Sequence, residues 1–255
     1  MAILSIGSDA KTVKGEAYGV LTAVQYLAPG SLSGHNVCPS ASQGCLAGCL
    51  YTAGRGAQNG TQASRLARAA AFFSDRQGYM VAMEREIRLA AANAARKGFQ
   101  LAVRPNGTSD LPWEKVMYNG PNGRTTIIDR FPEVQFYDYS KLAYRFTREL
   151  PANYDLTFSL SESNDEDALR VLAAGGRVAA VFGNTARPTA KASSGWALPE
   201  TWTPRGSYSA WERGGFPVVN GDLHDIVYKL PAGVIVGLRA KGRATKDSTG
   251  FVRWI

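Results

Sequence analysis

The sequence is poor in the residues that most enzymes and secreted proteins rely on. It holds only three cysteines, an odd number, and all lie between Cys38 and Cys49. A disulfide framework of a small secreted protein is denser and usually even, so these thiols point instead to a reducing compartment and a metal site. Histidine is scarcer still, with His35 and His224 alone. A histidine-based hydrolase therefore has little to build on, and neither G-x-S-x-G nor H-E-x-x-H occurs. Gly54-Arg55-Gly56 completes neither a P-loop nor a dinucleotide fingerprint. No apolar run reaches the roughly 18 residues that a membrane span needs. The opening Met1-Ala-Ile-Leu-Ser-Ile-Gly lacks the basic and long apolar parts of an export signal. We find no repeat, low-complexity tract or interdomain linker. These absences predict a protein of the cytoplasm, without a membrane partner.

What the chain does hold is enough to fold. Of 255 residues, 45% are hydrophobic and 10% aromatic, which argues against disorder. Lysine and arginine number 29 against 21 aspartates and glutamates, a formal charge of 29 − 21 = +8. That balance admits a nucleic acid or another anion as partner without requiring one. The pattern predicts a single domain over 1–255, with an irregular insertion at about 184–216.

Strand-like and helix-like segments alternate. Strands are predicted at Tyr18–Leu27, Phe99–Arg104, Glu133–Tyr139, Tyr154–Leu160, Arg177–Phe182, Pro217–Asn220 and Gly233–Arg239. Helices are predicted from Thr61 to Lys97, with Gly78 as the divider and Gly98 as the stop, around Lys141–Glu149, and at Asn164–Ala174. This alternation predicts an α/β fold of mostly parallel strands, a partial (βα) barrel, with an open doubly wound sheet as the alternative. In either, a site lies beyond the C-terminal strand ends. Arg104, Asn106, Ser109, Asp110, Tyr139, Lys141, Ser159, Glu162 and Asp222 fall there. Asp155, Thr157, Ser159 and Ser161 share one strand face by period two, and that face is expected to line the lumen.

The cysteines are spaced C-x6-C-x3-C. Three soft thiolates can hold three irons of a cubane cluster and leave the fourth iron open. Gly44 and Gly48 let the backbone turn tightly there, and Arg55 is a candidate counter-charge. Two other readings stand beside this one: a zinc site completed by His35, and three unligated thiols. The arginines at 65, 68, 76, 85, 88 and 96 read either as a solvated helix face or as a nucleic-acid stripe. Trp196, Trp202, Tyr208 and Trp211, interleaved with Arg205 and Arg213, read as packing of the insertion or as a platform for bases.

A three-cysteine loop after the first strand resembles the radical S-adenosylmethionine (SAM) proteins. That resemblance implies a partial-barrel core, Cys38, Cys45 and Cys49 as ligands of a [4Fe–4S] cluster, and a [3Fe–4S] form after loss of the labile iron. It further implies SAM as the ligand of the open iron and reductive cleavage to a 5′-deoxyadenosyl radical. Arg104-Pro-Asn-Gly-Thr-Ser-Asp stands where those proteins carry Gly-Gly-Glu, which makes Asn106, Ser109 and Asp110 the counterparts for a methionyl amine. Tyr51, two residues after the third cysteine, is the counterpart for an adenine contact. The chain more closely resembles the phage-encoded gene product 88-like family, which shares Cys38-Pro-x-Ala-x-x-Gly-Cys45 and the Arg104–Asp110 segment. A phage protein would act in the host cell cytoplasm. The resemblance does not fix a substrate.

Overall fold

The computed structural model describes residues 1–7, 10–186, 196–206 and 214–255. Twelve strands form, in chain order β1 (Leu4–Ile6), β2 (Val20–Gln25), β3 (Gln100–Arg104), β4 (Met117–Gly120), β5 (Gly123–Thr126), β6 (Gln135–Ser140), β7 (Tyr154–Ser159), β8 (Arg177–Gly183), β9 (Thr201–Trp202), β10 (Phe216–Asn220), β11 (Ile235–Arg239) and β12 (Val252–Trp254). The α-helices are α1 (Ala10–Lys14), α2 (Gln43–Ala47), α3 (Asn59–Ser74), α4 (Arg76–Arg96) and α5 (Asp165–Ala173). Ten strands make one sheet in the order β1-β2-β3-β6-β7-β8-β11-β10-β9, with β12 beside β8, while β4 and β5 form a separate hairpin. Pairing is parallel except at the two margins, where β1 meets β2 and β9 meets β10 antiparallel.

The α/β class and mostly parallel strands agree with the sequence pattern. The partial (βα) barrel does not form. The sheet is open, with β1 and β9 at its opposite ends. A barrel needs a covering helix after nearly every strand and a closing pair. Among the described residues, α-helices bridge adjacent parallel strands only between β2 and β3 and between β7 and β8. The predicted helix around Lys141–Glu149 is a short 3-10 turn at Ala143–Thr147. Leu142, Tyr144 and Phe146 alternate there with period two, which does not build a helical stripe. Nor is the order doubly wound, because β2, β3, β6, β7 and β8 follow one another in a single direction.

One face of the sheet carries Leu21, Ala23, Leu101, Val103 and Phe136, packed under Met80, Met83 and Ile87 of α4. The other carries Val20, Ala102, Tyr137, Ala179 and Val236, covered by Ile226 and Val227. The long helical stretch does divide, but at Asp75, whose carboxylate caps α4 by accepting from Gly78 N at 2.8 Å. Gly98 ends that stretch in the left-handed region, at φ 69°. Residues 187–195 and 207–213 of the predicted insertion lie outside the described residues, and with them Tyr208, Trp211 and Arg213. No helix among the described residues is long and apolar enough to cross a membrane.

The sheet splits between β7 and β8. Thr157–Ser159 of β7 pair with Arg177–Ala179, the first part of β8. Val181–Gly183, its last part, pair instead with Val252–Trp254 of β12 on that side. Chain leaving β7 therefore turns away over Leu160–Glu162, and the chain entering β12 arrives beside it. This split faces the cysteine loop.

Candidate metal centre at the three-cysteine loop

The loop leaves β2 and lies across the C-terminal edge of the sheet. Its first part is tied to α3 and to the loop after β3: Ala28 N donates to Arg65 O (3.2 Å), and Asp110 N to Val37 O (2.8 Å). Cys38 packs with Leu27, Ala28, Val37 and Ala69, and its sulfur accepts from Gly30 N at 3.3 Å. The middle part is α2. Ser42 caps it by accepting from Cys45 N at 3.2 Å and donates to Glu162 Oε2 at 2.6 Å. Gly44 N donates to the other oxygen of Glu162 at 2.7 Å. Burial pushes the Glu162 carboxyl up, but these two donors outweigh it and hold its pKa below the ordinary value. Glu162, just past β7, thus clasps the helix that carries Cys45. Cys45 itself packs on Ala240, Ala244, Phe251 and Val252. Gly48 then brings the chain against Ala244, where a Cβ would lie 3.2 Å from the alanine methyl.

The three thiols are half-buried and reduced. Burial raises the Cys38 pKa to about 11, helped by the charges that Cys49, Cys45 and Asp110 would present, against the Gly30 hydrogen bond. Burial also raises Cys49, with Cys45 adding to it, while a hydrogen bond from the Tyr51 amide and the charges of Arg65 and Lys141 act the other way. Burial thus disfavours the thiolates of Cys38 and Cys49, and a cationic group beside them would favour those forms. The donor type is the one a cluster uses: three soft sulfurs on one loop, with Cys38 receiving the backbone N–H of Gly30. Among the described residues no three His, Cys, Asp or Glu side chains converge closely enough for a single metal ion. His35, the fourth ligand of the zinc reading, is stacked on Phe73 with ring centroids 4.1 Å apart.

The sequence-predicted residues fall into three groups. Tyr51, Asp110, Lys141 and Ser159 surround the cysteines. Tyr51 lies two residues past Cys49 in a 3-10 turn, Leu50–Thr52. Asp110 accepts from Lys141 N at 2.8 Å, and Lys141 Nζ donates to Ser159 Oγ at 2.7 Å. Asn106 and Ser109 form the packed floor of the neighbouring loop. Asn106 Oδ1 accepts from Ser109 Oγ (2.7 Å), Leu111 N (2.9 Å) and Trp113 Nε1 (3.0 Å), so both side chains are engaged within the protein. Arg104, Tyr139 and Asp222 belong to a different cluster on the sheet face under Ile226. Arg104 donates to Asp225 at 3.2 Å and stands over the Tyr139 ring, 4.6 Å from its centroid. Asp222 accepts from Lys241 Nζ at 2.8 Å and from Arg239. The face of β7 expected to line a lumen meets none, because the sheet is open: Thr157 is fully buried and Asp155 pairs with Arg177.

Asp138 joins the floor and titrates unusually. It is wholly buried and accepts from Asn106 N (2.7 Å), Asn106 Nδ2 (2.9 Å) and Tyr154 OH (2.7 Å). Burial outweighs those donors and moves its pKa from 3.8 to about 7. A carboxyl raised on folding stabilises fully below its unfolded pKa and loses that contribution as pH rises to the folded one. The unfolding free energy of the wild type relative to Asp138→Asn should fall between about pH 3.8 and 7 and level off above. Urea melts across that range check this, and a difference independent of pH would contradict it.

The sequence places Glu162 beyond the end of β7 without giving it a role, and it hides the part of Arg65. Arg65 was read as helix surface or nucleic-acid stripe, and Arg55 as the inward cation. The structure reverses the two: Arg55 is exposed, whereas Arg65 is only 7% exposed. Its spacing held the signal, since 65, 69 and 72 form the buried stripe of α3. The arginine row is not a uniform stripe either. Arg68 donates to Ala2 O (2.8 Å) and Tyr26 O (3.3 Å), and Arg88 pairs with buried Glu84. The strand end gives the position of Glu162 but not its partners, because Ser42 and Gly44 lie far away in sequence.

Fold and site together define an open, mostly parallel α/β protein whose cysteine loop closes the C-terminal edge of the sheet. The chain belongs to the phage gene product 88 family, whose profile matches residues 3–253. No curated protein and no solved structure matches it.

Proposed function

We propose that this chain is an iron–sulfur protein in which Cys38, Cys45 and Cys49 bind a [4Fe–4S] cluster with one iron open. The supporting observation is that one loop carries three half-buried, unpaired thiols, with Cys38 packed against Val37 and Ala69 and Cys45 against Ala244 and Phe251. When bound, such a cluster supplies a one-electron centre and an open, Lewis-acidic iron. The chain's own residues do the rest. The cysteines hold the irons, and Gly30 N and Tyr51 N donate to two of the sulfurs. Glu162 and Ser42 fix α2, and Arg65 and Lys141 set positive charge beside Cys49. SAM is the first ligand to test at the open iron, with Tyr51 as the candidate contact for its adenine.

Anaerobic purification followed by iron and sulfide analysis and paramagnetic resonance tests the reading. The expected protein is brown, carries iron and sulfide in equal amounts, and loses both in Cys45→Ala. A colourless protein with zinc alone, or iron that survives the substitution, would sink it. With SAM and a reductant, 5′-deoxyadenosine is the expected product. Its absence from a cluster-bearing protein would remove radical chemistry and leave a redox or sensing role.

A further inference from the structure

One face of the sheet carries buried polar atoms that find no hydrogen bond among the described residues: Thr22 Oγ1, Arg104 Nε, Tyr139 OH, Asp155 Oδ1, Thr157 Oγ1 and Arg177 Nε. The register puts all six on the face that Ile226 and Val227 cover. Thr22 lies level with Ala102, Ala102 with Gln135, Tyr139 with Thr157, and Thr157 with Arg177, and residues two apart in a strand share a face. Burying unmet polar atoms is costly, and native proteins seldom leave them so.

Three of the six stand together toward the C-terminal strand ends. Tyr139 and Thr157 are cross-strand neighbours, and the Arg104 guanidinium lies over the Tyr139 ring, 4.6 Å from its centroid. Charge gathers at the same place. Arg104 stands 3.2 Å from Asp225, and Lys11 Nζ 4.0 Å from the same carboxylate. Asp222, three residues earlier on that loop, takes Lys241 at 2.8 Å and Arg239 at 3.3 Å. Four cations there share two carboxylates, which leaves two positive charges over. The Asp225 side chain is 5% exposed and that of Lys241 37%, so the group is buried below and open at its Lys241 rim. A crevice beyond the C-terminal strand ends is where open parallel sheets hold their ligands.

We propose that this crevice binds a phosphate dianion, free or as the monoester of a small molecule, through Arg104, Tyr139, Thr157 and Lys241. The inference goes beyond the cluster reading and does not depend on it, because no residue of the cysteine loop takes part. A dianion offsets the two surplus charges and gives the unmet hydroxyls and Arg104 Nε an acceptor. Donors arriving from β3, β6, β7 and the chain after β11 approach from several directions, which suits a tetrahedral oxyanion better than a planar carboxylate. An ammonium has three donors, so Lys241 can serve Asp222 and the ligand together.

Isothermal titration calorimetry of wild type, Tyr139→Phe, Thr157→Val and Lys241→Gln tests the site, at a mildly alkaline pH where phosphate is a dianion. The probes are inorganic phosphate, ribose 5-phosphate and malonate, a dianion built of carboxylates. Wild type should bind at least one of the two phosphates, with half-saturation at least about tenfold below that for malonate. A tighter ribose 5-phosphate marks an organic monoester as the ligand, and equal or tighter inorganic phosphate marks the free anion. Tyr139→Phe and Thr157→Val each remove one hydroxyl and keep the shape around it. Half-saturation should rise at least about fivefold in each, the loss of a hydrogen bond to a charged group. A wild type that binds neither phosphate, or that prefers them to malonate by less than tenfold, overturns the proposal. So does a rise below fivefold in every hydroxyl variant that folds, whereas a fivefold rise in either supports it. If neither folds, Lys241→Gln on the exposed rim decides by the same criterion.

Discussion

Replacing Arg145 with methionine is expected to remove about 3–5 kcal/mol of stability, the cost of breaking a buried ion pair from one side. The Arg145 side chain has no exposed surface. Its guanidinium donates to both oxygens of Glu114 at 3.0 and 2.7 Å, to Tyr154 OH at 2.8 Å and to Asp110 Oδ1 at 3.5 Å. Methionine fills similar space but leaves the Glu114 and Asp110 carboxylates, 10% and 12% exposed, without their counter-charge. Burial already raises the Asp110 pKa, so losing Arg145 raises it further and favours the protonated form. The damage reaches the cysteine loop, since Asp110 holds Val37 O through its amide and Lys141 N through its carboxylate. Urea denaturation at neutral pH reads the effect, and a loss below about 1 kcal/mol would show that the network contributes little beyond an exposed pair.

Gly44→Ala is expected to abolish most metal loading while the sheet still folds. A Cβ at this position would lie 2.1 Å from Thr249 Oγ1, 2.6 Å from Phe251 Cβ and 2.9 Å from Glu162 Oε2. The first and last of these belong to side chains that can swing aside. Phe251 cannot move so freely, being packed with Ala244 and Val252 next to β12. The relief is for α2 to lift, which stretches the clasp between Gly44 N and Glu162 and carries Cys45 away from its neighbours. Overpacking of this kind costs about 1–3 kcal/mol, small enough for the fold to survive. Gly60→Ala in α3 is the control, because nothing lies within 4 Å of its added Cβ. Iron per chain after reconstitution should drop in the first variant and hold in the second. Equal loading in both would mean that α2 need not sit against Phe251.

The strands that the sequence reveals are those with a run of apolar or alternating residues. Arg177–Phe182 and Gly233–Arg239 are close to β8 and β11 as they form. The three-residue β1 and β12 are too short to carry a period, and they pair only because neighbours present open edges. The barrel was a reasonable extension of strand alternation. It fails on the connections, where 3-10 turns replace the crossover helices that a closed ring requires. The cysteines were legible because three thiols within one loop are near each other in any fold. Arg104 and Asp222 were placed at the right strand ends, but their ion pairs turn them toward Asp225 and Lys241. Strand ends alone do not say which way a side chain faces. Arg65 was hidden by the expectation that a charged helical residue faces solvent, and its neighbours Tyr26 and Tyr51 come from two other segments.

The split sheet has a consequence in time. Parallel strands β2, β3, β6 and β7 can assemble with one another before β12 arrives. The wall behind α2 cannot, because Thr249 and Phe251 take their place only when β12 fills the gap beside β8. Contacts between residues so distant in sequence close late and slowly. The cysteine loop therefore spends the early part of folding tied at Cys38 and loose at Cys45. Docking of β12 is then the step that closes the wall behind Cys45.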